Sequence, residues 1–102
     1  MTTLVLESDP AVVRLEVTSD KLIVRLQDDR LLTIPLDWYP RLQHATERER
    51  QNWELLGDGY AIHWPNLDEH IGVEGLLAGR RSGESEKSFQ RWLATRSRSG
   101  AR

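Results

Sequence analysis

The stretch "VVRLEVTSDKLIVRLQDDRLLTIPL", Val12 to Leu36, decides the fold class. Within it, apolar residues recur at every second position three times over: Val13, Leu15 and Val17, then Leu22, Val24 and Leu26, then Leu32, Ile34 and Leu36. Side chains alternate between the two faces of a β-strand, so each run reads as a strand that buries one face. The links "TSDK" and "DDR" are short and rich in turn formers, which favours consecutive antiparallel hairpins. The expected product is a three-stranded meander. Uncovered, it would leave nine large aliphatic groups against water, at roughly 1.5–3 kcal/mol each.

The cover is expected from the residues that follow. Asp37 is placed to cap a first helical turn, and Pro40 falls early enough in "WYPRLQHA" that its missing amide costs no helical bond. Thr46 and Glu49 have the spacing of a capping box and start a second short helix. In "NWELLGDGYAIHW", Leu55 precedes the turn Gly57-Asp58-Gly59, and Tyr60, Ile62 and Trp64 alternate after it. That segment reads as a second hairpin, with Ala61 and His63 on the opposite face. "HIGV" is short enough for an edge strand, and "VEGLLAG" supplies Val73, Leu76 and Leu77 before Gly79 as a helix stop.

Beyond Gly79, residues 80–84 read as a linker. About 85–96 read as an amphipathic helix, with Phe89, Trp92 and Leu93 at i, i+3 and i+4, and the last residues read as a disordered end. The expected class is α+β: an antiparallel β-meander and a hairpin with short helices inserted, plus a C-terminal amphipathic helix. Residues 1–79 form one domain in this reading, and 80–102 a basic linker and helical tail.

A chain of 102 residues suits one domain with a modest core. No apolar run approaches the ~18 residues needed to cross a bilayer, so no membrane partner is expected. The opening "MTTLVLESDP" has no basic stretch ahead of an apolar one and does not read as a secretion signal. The absence of cysteine removes disulfides and thiolate ligands and suits a reducing cytoplasm. The net charge of −2 conceals an asymmetry. Residues 1–78 hold seven basic and fourteen acidic side chains, whereas 79–102 hold seven basic and two acidic ones. An acidic body with a basic tail fits a tail that meets an acidic partner or nucleic acid, or one that folds back on its own body.

The run "PLDWYPRLQHATERERQNWELLGDGYAIHWPNLDEHIGVEGLLAG" resembles the bacterial family of small domains of unknown function called DUF2442. The resemblance is carried by Trp38-Tyr39-Pro40-Arg41-Leu42, Asn52-Trp53-Glu54, Gly57, His63-Trp64-Pro65 with Leu67-Asp68, and Val73-Glu74-Gly75-Leu76-Leu77, in that order. It spans about Val12 to Gly79. It implies a small α+β domain, often encoded beside a second small family, DUF4160, in a pairing that resembles toxin and antitoxin, with the member like this chain as antitoxin. It offers no catalytic residues to carry over. The tail lies outside it and lacks the two-helix pattern of the helix-turn-helix segment attached to some members.

His63, Asp68, Glu69 and His70 are of the types that ligate zinc or iron. The spacing argues against such a site, because His63 is expected to project from a strand to the opposite side of a proline turn from His70. Asn66 and Asp68 are instead expected to bond the backbone around Pro65. No metal and no cofactor is expected. Nucleophilic catalysis lacks a cysteine or a serine in a glycine-bounded elbow. Asp28-Asp29 and Asp68-Glu69 fall on turns, and "GDG" is too short to cradle phosphate. No catalytic residue, and no enzyme, is expected.

The aromatic residues point elsewhere. Four tryptophans exceed what a small core easily absorbs, and tryptophan or tyrosine beside arginine is the usual anchor of a binding surface. Trp64 goes to the core with Ile62. Trp38, Tyr39, Arg41, Trp53 and His63 on the body, with Phe89, Arg91, Trp92 and Arg96 on the tail, form the candidate partner-binding set; the alternative is that most of the rings roof the sheet. His44 reads as a spacer or cap between short helices. The functional expectation is a non-enzymatic protein-binding module, antitoxin-like, whose partner is a small cognate protein of the DUF4160 kind. The alternative is nucleic-acid binding, with the tail arginines on phosphates and Trp92 stacking on a base. Oligomeric state is left open.

Overall fold

The computed structural model describes residues 9–100, and among residues 97–100 the backbone alone. Residues 1–8, which hold most of the stretch read for a secretion signal, and the final two of the tail lie outside the described residues. The elements run β1 (Val12–Val17), β2 (Lys21–Leu26), β3 (Leu31–Pro35), a 3-10 turn (Leu36–Trp38), α1 (Pro40–Gln43), α2 (Glu47–Gln51), β4 (Glu54–Leu56), a second 3-10 turn (Gly57–Gly59), β5 (Ala61–Trp64), β6 (Glu69–Gly72), α3 (Val73–Ala78) and α4 (Glu86–Gly100). The strands form two antiparallel sheets ordered β1-β2-β3 and β4-β5-β6, so the fold is α+β as the alternation predicts.

Turn chemistry explains the first sheet. Thr18 Oγ1 accepts from the Lys21 amide at 2.9 Å and closes the first hairpin. In the second, Asp28 Oδ1 accepts from the Arg30 amide at 3.1 Å and Asp29 takes a φ of 73°, a conformation that aspartate tolerates. The alternation fails at one place. A bulge between Val12 and Arg14 shifts the register of β1 on β2, leaving Val12 3% exposed and Val13 52% exposed. An extra residue in one strand rotates the side chains before it, so Val12 and not Val13 joins the core.

Two further expectations change. Leu36 is buried, but from the 3-10 turn rather than from β3. Asp37 caps nothing: the turn Leu36–Trp38 intervenes, and α1 starts at Pro40 behind Tyr39 with no side-chain cap. Pro40 does occupy the first helical turn, where its missing amide is harmless. The capping box of α2 forms as expected, with Glu49 N–H donating to Thr46 Oγ1 at 3.1 Å and Thr46 N–H to Glu49 Oε1 at 2.9 Å.

Both sheets share one core. Leu22, Val24 and Leu26 of the first meet Ile62 and Trp64 of the second, with Leu42, Leu67 and Val73 between elements, all under 2% exposed. The Trp64 indole N–H is satisfied by the Arg50 carbonyl at 3.1 Å, so the largest buried ring carries no orphan donor. The turn between β4 and β5 packs directly on β1 at Gly59, where φ is +98° and an added Cβ would lie 2.6 Å from the Val12 carbonyl oxygen. Gly79 closes α3 in the left-handed conformation expected of a helix stop. The helix expected over about 85–96 continues to Gly100, where a disordered end was expected.

Candidate partner-binding site

The 3-10 turn and α1 present Trp38, Tyr39 and Arg41 to the segment that follows α3. Tyr39 is core, 4% exposed, and its hydroxyl donates to the Arg80 carbonyl at 3.0 Å. The Trp38 carbonyl accepts from the Ser82 amide at 3.0 Å, and the Arg81 guanidinium lies 4.7 Å from the centre of the Trp38 ring. The linker is therefore laid along the turn. Arg41 completes the attachment, donating from Nε and Nη2 to Glu84 at 2.9 and 2.6 Å and from Nη1 to the Leu67 carbonyl at 2.7 Å. Glu84 also accepts from Ser88 Oγ at 2.7 Å, in the first turn of α4.

The apolar strip of α4 faces the body. Phe89 is buried, with its ring 5.2 Å from His44 in an edge arrangement and 5.8 Å from Trp92. Half-buried Trp92 has the guanidinium groups of Arg41 and Arg96 at 5.1 and 4.6 Å from its centre. Arg96 donates to both Glu49 oxygens at 2.9 Å, so one carboxylate caps α2 through one oxygen and holds α4 through the pair. Of the tail residues in the candidate set, Phe89, Trp92 and Arg96 converge here; Arg91 stays exposed on α4.

Electrostatics follow from these contacts. The hydrogen bonds from Arg41 to Glu84 and from Arg96 to Glu49 hold both carboxyl groups below the usual carboxylate range. Burial, then the charge of Glu69, pushes the Tyr39 phenol up. Glu69 itself is pushed up to about 7, mainly by burial, with Arg41 opposing and Glu84 and Asp68 adding to the rise. The cause is strand alternation: Glu69 shares the face of buried Ile71, at the edge of a cleft of about 210 Å³ that Tyr39, Arg80 and Arg81 also line.

The other two body residues lie apart from this seam. Trp53 is half-buried against the core. His63 lies on the outward face of the second sheet, Nδ1 2.8 Å from Glu54 Oε2, its ring centre 5.2 Å from that of His70. The expectation that the two histidines project to opposite sides of the proline turn is wrong. The turn reverses the chain tightly enough that β5 and β6 pair with His63 directly opposite His70. Nor do the side chains of Asn66 and Asp68 bond the backbone around Pro65, although the Asp68 amide donates to the Pro65 carbonyl at 3.4 Å. The turn is closed by the Leu67 amide on the Trp64 carbonyl at 3.1 Å, Asp68 takes φ of 52°, and Asn66 Oδ1 accepts from Asn52 Nδ2.

Over residues 12–82 the chain matches the family described as a protein of unknown function, DUF2442. The chain belongs to the DUF2442 family. Two solved structures are similar to it. A protein of unknown function from Rhodospirillum rubrum ATCC 11170 is 26% identical, with a TM-score of 0.64, over 76% of this chain and 95% of that one. An uncharacterized protein from Chromobacterium violaceum, whose structure was determined by NMR in solution, is 25% identical, with a TM-score of 0.61, over 84% of this chain and 75% of that one. No curated protein sequence is significantly similar to this chain.

The DUF2442 match ends at Ser82, so the body side of the seam lies inside the family region while Glu84 and α4 lie outside it. Sequence reading missed Glu84, the burial of Glu69, which it placed on a turn and not in a strand, and the second role of Glu49. The opposed charges of body and tail were the one available signal for Glu84 and Glu49; the burial of Glu69 left none, because an acid after a turn is unremarkable on its own.

Proposed function

We propose that this DUF2442 chain is a non-enzymatic protein-binding module, the antitoxin-like member of a two-gene pair, which engages a small cognate protein through the body and α4 together. The observation that supports the reading is the seam. Tryptophan, tyrosine and arginine joined by hydrogen-bonded ion pairs are the side chains that anchor protein interfaces, and a face that receives an amphipathic helix is a common recognition surface. In this reading Arg41 and Arg96 position α4, and the exposed Lys87 and Arg91 on that helix meet acidic groups of the partner.

Co-expression with the product of the adjacent gene, followed by size-exclusion chromatography and titration calorimetry, tests this. A stoichiometric complex that K87E/R91E weakens at least tenfold, with α4 still protected from hydrogen exchange, is the expected result. No complex removes the cognate pairing, and undiminished affinity in K87E/R91E removes the α4 surface. The nucleic-acid alternative has fewer groups to work with, since Arg96 is committed to Glu49 and the Trp92 ring is already covered by the guanidinium groups of Arg41 and Arg96. Binding to DNA or RNA that falls steeply with salt would favour it over the protein partner.

A further inference from the structure

We infer that His63 and His70 form a two-histidine site for a divalent transition-metal ion, zinc or copper, with Glu54 positioning His63. The inference is independent of the partner-binding reading and rests on a row of three residues across the second sheet. Glu54 on β4 is paired with His63 on β5, and His63 with His70 on β6.

The hydrogen-bond pattern brings the two rings close. The Val73 amide donates to the Tyr60 carbonyl at 3.0 Å, which puts Tyr60 and Val73 at a hydrogen-bonded position of the ladder, although the Tyr60 amide itself turns to the Leu56 carbonyl. Antiparallel ladders alternate, so Ile62 and Ile71 are the next such pair and His63 and His70 a non-hydrogen-bonded one. In such pairs the Cα atoms approach to about 4.5 Å and the side chains stand closest. The ring centres are 5.2 Å apart. Two imidazoles bound to one zinc ion at about 2.0–2.1 Å and near the tetrahedral angle place their ring centres roughly 5 Å apart, so the pair already stands at chelating separation.

Glu54 supplies the second element. Its Oε2 lies 2.8 Å from His63 Nδ1 and accepts the proton there, which leaves the Nε2 lone pair for a metal. A carboxylate that orients a ligating imidazole in this way is a recurrent outer partner in zinc sites. The row lies on the outward face, with the His63 side chain 27% exposed and His70 exposed, so an ion reaches it from solvent. Ile62 and Ile71 on the buried face hold the two strands in register beneath it. Glu69 faces the side of Ile71 and takes no part. Imidazole donors select zinc, copper or nickel over magnesium and calcium, and two protein ligands leave the other positions to water.

The test is calorimetric titration of zinc chloride into the full chain without an affinity tag, with the histidine ring signals followed by NMR. One equivalent per chain is expected, with micromolar affinity. His63→Gln and His70→Gln should each weaken it at least tenfold, and Glu54→Gln by about tenfold. Zinc should move the ring signals of His63 and His70 and leave those of His44 in place. The three side chains are on the solvent face, so the variants should keep the parent melting temperature, which separates lost ligation from lost fold. Absence of saturable binding would overturn the inference. So would binding that survives in H63Q/H70Q, or zinc shifts confined to His44.

Discussion

Arg41 and Glu84, forty-three residues apart in sequence, form a bidentate pair in which neither side chain is more than 15% exposed. A third bond from the same guanidinium reaches the Leu67 carbonyl, and the Trp92 ring lies beside it. One side chain thus joins α1, the turn after β5, the linker and α4. The planar fork of arginine suits a two-oxygen partner in a way that lysine cannot reproduce.

Arg41→Ala should release α4 and cost about 2–3 kcal/mol, because it leaves a shielded carboxylate and a carbonyl without their donors. Arg41→Lys should fall between parent and alanine variant, since it keeps the charge and loses the fork. Urea unfolding gives the stability, and hydrogen exchange of residues 86–96 gives the docking. Unchanged exchange protection in α4 after Arg41→Ala would contradict the structural role assigned to the pair.

Glu69 predicts a pH dependence. Its carboxyl is raised from an ordinary 4.5 to about 7, so the folded chain holds a proton that the unfolded chain releases. Below about pH 4.5 both states are protonated and there is no penalty. Between about 4.5 and 7 the parent loses stability as pH rises, and above 7 the cost of a buried charge persists. Glu69→Gln removes that slope and should stabilise the chain at pH 8 by about 1–2 kcal/mol, after allowance for the exposed part of the side chain. Thermal midpoints of both proteins at pH 4 and pH 8 decide it: an equal difference at both values would place the effect elsewhere than in the ionised carboxylate.

Gly59→Ala should cost about 2–4 kcal/mol, since the new methyl group meets the Val12 carbonyl at 2.6 Å in a backbone conformation that disfavours any side chain. Gly57→Ala is the control. Its φ is also positive, at +57°, but nothing lies within 4 Å of the added Cβ, so only the conformational cost of about 1 kcal/mol applies. Equal losses in the two variants would show that the approach of the β4–β5 turn to β1 contributes little.

Much of the architecture is legible in the sequence because its signals are local. The alternation of Leu22, Val24 and Leu26, the Thr46–Glu49 box and the stop at Gly79 each involve residues within four positions of one another. Helical spacing alone marked the apolar strip of Phe89 and Trp92, though not that the strip packs on the body. Val13 and Asp37 misled for a local reason of another kind: a bulge and a 3-10 turn each shift the chain by a residue or two, and neither leaves a distinct composition behind.

The sequence by itself determined which segments become strands and helices, which face of each is apolar, and, through its ordered motifs, the family. Tertiary structure decided which residues meet. It put His63 against His70, turned Glu69 towards the core, and spent Arg41 and Arg96 on Glu84 and Glu49 rather than leaving them open. The division has a physical cause. Secondary structure arises from steric and hydrogen-bonding preferences over a few residues, whereas pairing between long polar side chains gains strength only where distant segments exclude water together.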